Sequence, residues 1–273
     1  MKTGLEVSAE MRLKDRIALV TGGGKGIGRA IALAYAAEGA DLAICSRTES
    51  DLRNVAEEVK RLGRRCFTQR ADVTVKGECV AMVEAALQHF GHIDILVNNA
   101  GGGDVADYRT LLEMDDQCWF DNIALNLHGT WYFTKALLPH MVERRYGRIV
   151  NIASVAGLQG VPRLGAYAAA KHGVIGLSRT LALECGEFGV TCNVICPGPT
   201  RAGWTISDTG VGRIAERYGL SVDEYNARAV AGGAIKRMVE PEEVAELAVY
   251  FASERSGATT GQSVSVCGGF NMH

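Results

Sequence analysis

The sequence lacks any apolar run long enough to cross a membrane, and its opening stretch, MKTGLEVSAEMRLKD, contains no apolar segment typical of a signal peptide. It also lacks an excess of charge of one sign, since 29 Lys and Arg face 31 Asp and Glu and the net charge is -2. Nucleic acid and anionic lipid bind surfaces with a strong positive field. We therefore expect a cytoplasmic protein that binds neither nucleic acid nor membrane.

No C-x-x-C pair and no cluster of His, Cys and Asp occurs along the chain. These absences argue against a zinc site, and they also argue against a disulfide scaffold. The expectation is no bound metal and thiols that stay reduced, mostly in the core. The eight cysteines are Cys45, Cys66, Cys79, Cys118, Cys185, Cys192, Cys196 and Cys267.

No Ser/Pro-rich or highly charged linker divides the 273 residues, so we expect one domain spanning 1–273. Apolar runs rich in β-branched residues alternate with segments of helical periodicity. This alternation predicts right-handed βαβ units, and hence a doubly wound, Rossmann-type α/β fold with a parallel sheet and helices on both faces. About seven strands are predicted, at 16–21, 41–46, 65–70, 93–98, 148–154, 191–196 and 262–267.

Two segments depart from this alternation. Pro139 interrupts a helical pattern from about Asp116 to Arg145, which predicts a kink or an altered last turn. The stretch at about 199–231 has no strand signal and is rich in glycine, aromatic residues and arginine. It is interpreted either as a mobile substrate lid or as a surface loop with one or two short helices.

A glycine run, VTGGGKGIG at 20–28, follows the first strand and precedes the first helix. Backbone N–H groups at a helix N-terminus can bind a phosphate there. The spacing fits neither G-x-G-x-x-G nor a Walker loop. It fits T-G-x-x-x-G-x-G through Thr21, Gly22, Gly26 and Gly28, which by itself is a weak indication of dinucleotide binding.

Further motifs follow at the ends of later strands: NNAG at 98–101, NIAS at 151–154, YAAAK at 167–171 and PG at 197–198. With these in order and spacing, the sequence resembles the short-chain dehydrogenase/reductase family from about Lys14 to Gly269. The stretches CSRTESDL, NIASVAG and VSVCGGFNMH are similar to those of 3-oxoacyl-carrier-protein reductases and aromatic polyketide ketoreductases. The resemblance implies an oxidoreductase acting on CH–OH and C=O groups.

Tyr167 and Lys171 are four residues apart in a helical pattern, so their side chains share one face. A nearby ammonium group and a positively charged nicotinamide would favour the phenolate. By resemblance Tyr167 exchanges a proton with the substrate oxygen, Ser154 binds that oxygen, and Lys171 also binds the nicotinamide ribose. Asn126 is implied to bend a helix and support a water relay to the lysine. Taken alone, Ser154 is a strand-end cap and Asn126 a polar helix residue.

The resemblance also assigns residues to the cofactor. Asp72 would contact the adenine edge, although a helix N-cap before VTVKGECV explains it equally. The relatives' threonine that contacts the nicotinamide carboxamide falls on Ala202, with Thr200 as a substitute. The full set of cofactor-binding residues expected is Gly22, Lys25, Gly26, Ile27, Gly28, Ser46, Arg47, Asp72, Val73, Asn98, Ala100, Gly101, Tyr167, Lys171, Pro197, Gly198 and Thr200.

The end of the second strand bears on the choice of coenzyme. An acidic residue there would bind the ribose hydroxyls of NAD, whereas a basic group favours the 2′-phosphate of NADP. Ser46 stands at that position, Arg47 follows it, and Lys25 lies in the glycine loop. NADP(H) is therefore favoured over NAD(H). Both cations could instead be solvated surface groups.

The expected function is an NADP(H)-dependent ketoreductase acting on a small molecule, with a bulky, cyclic or acyl-thioester ketone, or the corresponding alcohol, as the expected substrate class. The alternatives are an NAD-dependent secondary-alcohol dehydrogenase and a noncatalytic dinucleotide-binding scaffold. Family members generally form dimers or tetramers through helices around 116–145 and 165–187, together with the C-terminal strand, so we expect a homotetramer. The lid residues expected to contact substrate, or else to pack the lid on the body, are Trp204, Ile206, Tyr218, Leu220, Tyr225, Arg201, Arg213, Arg217 and Arg228.

Overall fold

Seven parallel strands form one sheet in the computed structural model, which describes residues 11–102, 109–201 and 210–272. The sheet order is β3-β2-β1-β4-β5-β6-β7. Every predicted strand is present, and each boundary lies within two residues of its prediction. The strands are Ile17–Thr21 (β1), Asp41–Ser46 (β2), Cys66–Arg70 (β3), Ile95–Asn98 (β4), Gly147–Ile152 (β5), Val190–Pro197 (β6) and Ser263–Val266 (β7).

Helices cover both faces of this sheet, which confirms the doubly wound α/β prediction. Side chains alternate along a strand, so Ala18 and Val20 of β1 face one layer while Leu19 faces the other. Because both faces are buried, the inner strands are mostly apolar. The exceptions are buried polar or charged side chains such as Asn98, Arg148 and Asn151. The helices are Gly26–Ala37 (α1), Glu49–Arg61 (α2), Lys76–Phe90 (α3), Asp116–Ile123 (α4), Gly129–Glu143 (α5), Gly165–Cys185 (α6), Gly210–Arg217 (α7), Val222–Ala231 (α8) and Pro241–Ala252 (α9).

The direction of the strand order changes between β1 and β4, which pair through Val20 and Val97. In doubly wound folds the connections leave toward opposite faces at this point, so a crevice opens beyond the carboxyl ends of the strands. The glycine run that follows β1 and the NNAG motif that ends β4 therefore lie side by side. Helices α1, α2 and α9 cover one face, and α3, α5 and α6 cover the other.

The long helical pattern is interrupted at Asn126, where the resemblance implied a bend, and the helix assignment continues through Pro139, where the proline predicted a kink or an altered last turn. A π-helical turn, Ala124–His128, separates α4 from α5, whereas α5 continues through Pro139 and ends at Glu143. Proline removes one backbone donor, and the neighbouring hydrogen bonds keep this helix intact beyond it. The departure from regular α-helix therefore lies at Asn126.

The segment interpreted as a lid contains two short helices, α7 and α8, and its residues 202–209 lie outside the described part of the chain. All eight cysteines are free, and all but the half-buried Cys66 are buried. Among the helices that the structure describes, none is long and apolar enough to span a bilayer.

Candidate active site

The glycine run forms the turn between β1 and the first turn of α1. Gly22 has a φ of +65°, a left-handed conformation that favours glycine. A Cβ on Gly28 would lie 2.2 Å from the carbonyl oxygen of Gly22, so only hydrogen fits at that position. The first turn of α1 contains no acidic residue, and its backbone N–H groups lack intrahelical partners. These features suit a closely held anion such as a diphosphate.

Asn99 fixes this turn to the end of β4, a role that the sequence analysis missed. Its Nδ2 donates to the carbonyl oxygens of Thr21, at 2.9 Å, and Gly22, at 3.2 Å. In return, Oγ1 of Thr21 accepts from the backbone N–H groups of Asn99 and Ala100, each at 3.0 Å. Oγ1 of Thr21 also donates to the Val97 carbonyl oxygen at 3.4 Å, so five hydrogen bonds hold the two strand ends together at the switch point.

Asn98, the neighbour that was expected to bind cofactor, points into the protein instead. Its side chain is buried, and Nδ2 donates to Oδ1 of Asn151 at 2.8 Å and to Oγ1 of Thr134 at 3.0 Å. The cleft wall includes Asn99 but not the buried Asn98. The structure thus places Asn98 among the polar side chains beneath the sheet end, and a contact with cofactor stays a prediction.

One end of the cleft is lined by Ser46, Arg47, Asp72, Val73 and Lys25, as the sequence places them. Arg47 and Lys25 are exposed, and neither forms an ion pair with any residue that the structure describes. This end of the cleft therefore carries two cationic side chains free to bind an anion.

Asp72 does not cap a helix, because α3 begins at Lys76 and its N-cap position is Val75. Its Oδ1 instead accepts from the backbone N–H of Thr74 at 2.9 Å and from the Thr74 hydroxyl at 2.8 Å. Burial opposes ionisation of this carboxyl, but the Thr74 hydrogen bonds, with nearby arginines, outweigh it and lower the pKa of Asp72.

Ser154, Tyr167 and Lys171 line the same cleft, near the carboxyl end of β5. The Ser154 hydroxyl lies beside the Tyr167 phenol and favours the ionised form of that phenol by lowering its pKa. Nζ of Lys171 lies 5.6 Å from the centroid of the Tyr167 ring and donates to the carbonyl oxygen of Ile152 at 3.0 Å. The helical spacing of Tyr167 and Lys171 thus brings a phenol and an ammonium group to one wall of the cleft.

Burial shifts the pKa values of both Tyr167 and Lys171 away from their ordinary values. Burial raises the pKa of Tyr167, and the hydrogen bond from Ser154 opposes the shift only in part. Burial also lowers the pKa of Lys171 to about 8. For the chain alone the pKa of Tyr167 is therefore raised, and the lowering expected from Lys171 together with a positively charged nicotinamide stays a prediction.

Asn126 lies behind the loop that follows β4 and holds it at two backbone atoms. Its Oδ1 accepts from the N–H of Gly102 at 2.9 Å, and its Nδ2 donates to the Gly102 carbonyl at 2.8 Å. A Cβ on Gly101 would lie 2.8 Å from Oδ1 of Asn126 and 3.1 Å from Nζ of Lys171. Any side chain at residue 101 would therefore have to displace Asn126 or Lys171. The water relay stays a prediction.

Pro197, Gly198 and Thr200 continue the cleft beyond β6. A Cβ on Gly198 would lie 2.7 Å from Cβ of Cys267, so the backbone packs directly against the chain after β7. The hydroxyl of Thr200 donates to the Gly198 carbonyl at 2.9 Å. Thr200 is thus held within the strand-end turn, while Ala202 lies outside the described residues.

The remaining wall of the cleft is largely apolar. Together with the glycine turn, the cationic end and the Ser154–Tyr167–Lys171 wall, it encloses a cavity of about 470 Å³. Of the lid residues named from sequence, Tyr225 lines it, Tyr218 is exposed and Arg201 pairs with Glu240 at 3.1 Å. Trp204, Ile206 and the side chains of Arg213 and Arg217 lie outside the described part. Residues that sequence reasoning did not name include Val211, Asn226, Met238 and Phe270.

In the described ranges, no group of three or more His, Cys, Asp or Glu side chains is placed to hold a metal ion. The glycine turn at the switch point, the adjoining cationic end and the Ser–Tyr–Lys wall instead define a dinucleotide-dependent oxidoreductase of the doubly wound class.

Comparison with known proteins places the chain within that class. The family described as short chain dehydrogenase matches residues 16–209. The 3-oxoacyl-(acyl-carrier-protein) reductase FabG of Staphylococcus epidermidis is 34% identical over 94% of this chain and 100% of its own length. The chain therefore belongs to the short-chain dehydrogenase/reductase family and is an oxidoreductase acting on CH–OH or C=O groups.

Two solved structures share the whole fold. A single-residue variant of actinorhodin polyketide ketoreductase with NADPH has a TM-score of 0.88 and 36% identity, covering 95% of this chain and 98% of its own. Carveol dehydrogenase from Mycobacterium avium in complex with NAD has a TM-score of 0.87 and 31% identity, covering 95% and 98%. The resemblance to ketoreductases stated from the motifs is confirmed, and the family's cofactor is a nicotinamide dinucleotide.

Proposed function

We propose that this chain is an NADP(H)-dependent reductase of bulky, ring-bearing or acyl-thioester ketones. One observation carries the proposal: Ser154, Tyr167 and Lys171 line a single cleft whose opposite end bears Arg47 and Lys25. A hydride donor that spans the cleft would have its phosphorylated end beside the cations. Its reactive end would lie beside the phenol.

A nicotinamide dinucleotide fits the residues present. The space beside Gly22 and Gly28 admits no side chain, so backbone N–H groups of Gly26 and Ile27 can approach a diphosphate. Asp72 and Val73 would hold the adenine, with Ala100 and Gly101 at the ribose on that side. Lys171 and Tyr167 would hold the other ribose, with Pro197, Gly198 and Thr200 at the nicotinamide.

The preference for NADP(H) rests on the unpaired Arg47 and Lys25 and on the absence of an acid at Ser46. A guanidinium group can bind a phosphate through two hydrogen bonds, which suits a 2′-phosphate. One structural neighbour was solved with NADPH and another with NAD, so the charge at the end of β2 is the stronger support. Arg47→Asp is expected to reverse the preference, and an unchanged preference would refute the coenzyme assignment.

The chemistry assigned to the chain is proton transfer and charge stabilisation. When bound, the nicotinamide supplies or accepts the hydride. Tyr167 donates its phenolic proton to the carbonyl oxygen during reduction, and Ser154 binds that same oxygen. Burial raises the pKa of Tyr167 above its ordinary value near 10, so the phenol keeps at neutral pH the proton that reduction requires.

The substrate class follows from the remaining lining. Val155, Val161, Leu164, Met238 and Phe270 give that part of the cleft an apolar surface without a charged side chain among them. Apolar walls with a few polar groups at the reacting atoms are typical of sites for uncharged ring or chain compounds. The reactive carbonyl would lie at Ser154 and Tyr167, with the apolar body of the ketone against these side chains.

The experiment is NADPH consumption with a panel of an acetoacetyl thioester, a bicyclic ketone and a keto steroid. Wild type is expected to reduce at least one, and Tyr167→Phe to lose nearly all turnover while retaining NADPH binding. Tyr250→Phe, on the distant helix α9, serves as the matched control and should retain activity. Coenzyme binding without turnover of any panel member would favour the noncatalytic scaffold, and turnover with NADH alone would favour the NAD-dependent dehydrogenase.

We also propose a homotetramer working in the cytoplasm, where its eight free thiols would stay reduced. Phe120, Trp131 and Leu183 are exposed apolar side chains on α4, α5 and α6, the helices expected to form subunit contacts. Light scattering after size exclusion tests the assembly. Leu183→Glu is expected to reduce the measured mass, and a wild-type monomer would contradict the proposal.

A further inference from the structure

Asp51 lies where three elements meet at the cationic end of the cleft. It belongs to the first turn of α2, is half-buried and lines the cavity wall. A Cβ on Gly24 would lie 2.9 Å from Cβ of Asp51 and 3.1 Å from Oγ of Ser46. The glycine turn, the end of β2 and the start of α2 therefore converge on one point, and Asp51 is the acidic side chain there.

The carboxylate of Asp51 has no partner within the described ranges, neither a hydrogen bond nor an ion pair. The other acid of the same helical turn, Glu49, is exposed, pairs with Arg53 at 3.4 Å and is not part of the cleft wall. Asp72, on the same wall, is already bonded to Thr74. Asp51 is thus the acid on this wall whose charge the protein itself leaves unbalanced.

Because Asp51 lies near Ser46, its negative charge would act on a group bound at the end of the second strand. The end of the second strand is where a doubly wound fold meets the 2′ position of the adenosine ribose. A 2′-phosphate carries more than one negative charge and is repelled by a nearby carboxylate, whereas a 2′-hydroxyl can donate a hydrogen bond to it. Arg47 and Asp51 would therefore act in opposite directions on a 2′-phosphate bound at this point.

We propose that Asp51 is a specificity-determining residue that weakens binding of the 2′-phosphate and lets the chain accept the unphosphorylated dinucleotide as well. This inference rests on the proposed function, since it needs a dinucleotide in the cleft. It predicts a modest preference for NADP(H), smaller than Arg47 and Lys25 alone would produce. Neutralising Asp51 should sharpen that preference.

The test measures dissociation constants without turnover, for NADPH and NADH by fluorescence and for 2′,5′-ADP and ADP by calorimetry. Asp51→Asn is expected to tighten NADPH and 2′,5′-ADP by about fivefold at low ionic strength, and to leave NADH and ADP unchanged or weaker. The gain should shrink in high salt because partly exposed charges are screened. Asp51→Glu, which keeps the charge, should bind like wild type.

Glu49→Gln is the matched control, because it removes a carboxylate from the same helical turn outside the cleft, and it should change none of the four constants. Equal tightening of phosphorylated and unphosphorylated ligands by Asp51→Asn would overturn the inference, as would no change at all. The same selectivity shift in Glu49→Gln would overturn it too, since the helix N-terminus would then be responsible. Should wild type bind none of the four ligands, the proposed function itself fails and the inference with it.

Discussion

Lys171 donates a hydrogen bond from Nζ to the backbone carbonyl oxygen of Ile152, and the two atoms are 3.0 Å apart. The side chain is almost fully buried, at 4% exposure, beside the Tyr167 ring. A buried ammonium group is costly to keep charged, and burial lowers its pKa to about 8. The site therefore keeps a cation where the fold alone would favour an apolar residue.

This burial makes stability depend on pH in a predictable direction. The unfolded lysine has a pKa of about 10.4, so between about pH 8 and pH 10.4 the unfolded chain binds more protons and wild type gains stability as pH rises. Relative to Lys171→Met, which has no such group, the gain across this window should be about 3 kcal/mol. Urea unfolding of both proteins at the two ends of the window measures it. Parallel pH dependences would contradict the pKa shift.

The fold and half of the site were predictable because their signals are local. A run of β-branched residues predicts a strand from a few adjacent positions. Tyr167 and Lys171 share a helix face because they are four residues apart. Gly22 and Gly28 were identified from the order of residues in one turn. Each of these inferences needs only neighbours in sequence, and each matches where the structure places the residue.

The other features of the site could not be predicted because they depend on contacts between segments that are distant in sequence. Whether Asn98 or Asn99 faces the cleft depends on where β4 ends, and a shift of one residue reverses the side chain's direction. The need for glycine at position 101 arises from Asn126 and Lys171, which approach it from two different helices. The pKa of Tyr167 was predicted from its neighbour Lys171, but burial by the surrounding chain dominates it.

Removing the Ser154 hydroxyl should make Tyr167 a weaker acid. The Ser154 hydrogen bond favours the phenolate against burial, so its loss raises the pKa of Tyr167 further. In Ser154→Ala the pH profile of kcat for alcohol oxidation should shift to higher pH, while reduction loses rate through weaker binding of the substrate oxygen. Ser154→Thr, which keeps a hydroxyl, is the conservative control. A profile that moves to lower pH in Ser154→Ala would contradict this assignment.

A methyl group at position 101 should damage the site without unfolding the protein. Gly101→Ala places a Cβ against Oδ1 of Asn126 and Nζ of Lys171, at 2.8 and 3.1 Å before relaxation. The added methyl group is expected to displace Lys171 by up to about 1 Å, which should lower kcat by up to about a hundredfold. Gly176→Ala, in the middle of α6 with nothing within 4 Å of the added Cβ, is the control and should keep full activity. Equal rates in the two variants would show that the contact is not restrictive.

Phe270 should limit the size of the ketone that the cleft accepts. Its ring lines the cavity and lies 3.2 Å from where a Cβ on Gly232 would stand, at the end of α8. The next residue, Asn271, donates from Nδ2 to Oε1 of Gln159 at 2.8 Å, which fixes this C-terminal segment to the chain that follows Ser154. Phe270→Ala removes a large apolar side chain from the wall, so kcat/KM for a tricyclic ketone should rise relative to that for cyclohexanone, by about tenfold if the full volume becomes usable.

Met272→Ala, which alters an exposed side chain two residues on and outside the cleft wall, should leave the ratio unchanged. If the ratio stays at the wild-type value in Phe270→Ala while NADPH still binds, the ring is not the limit on substrate size.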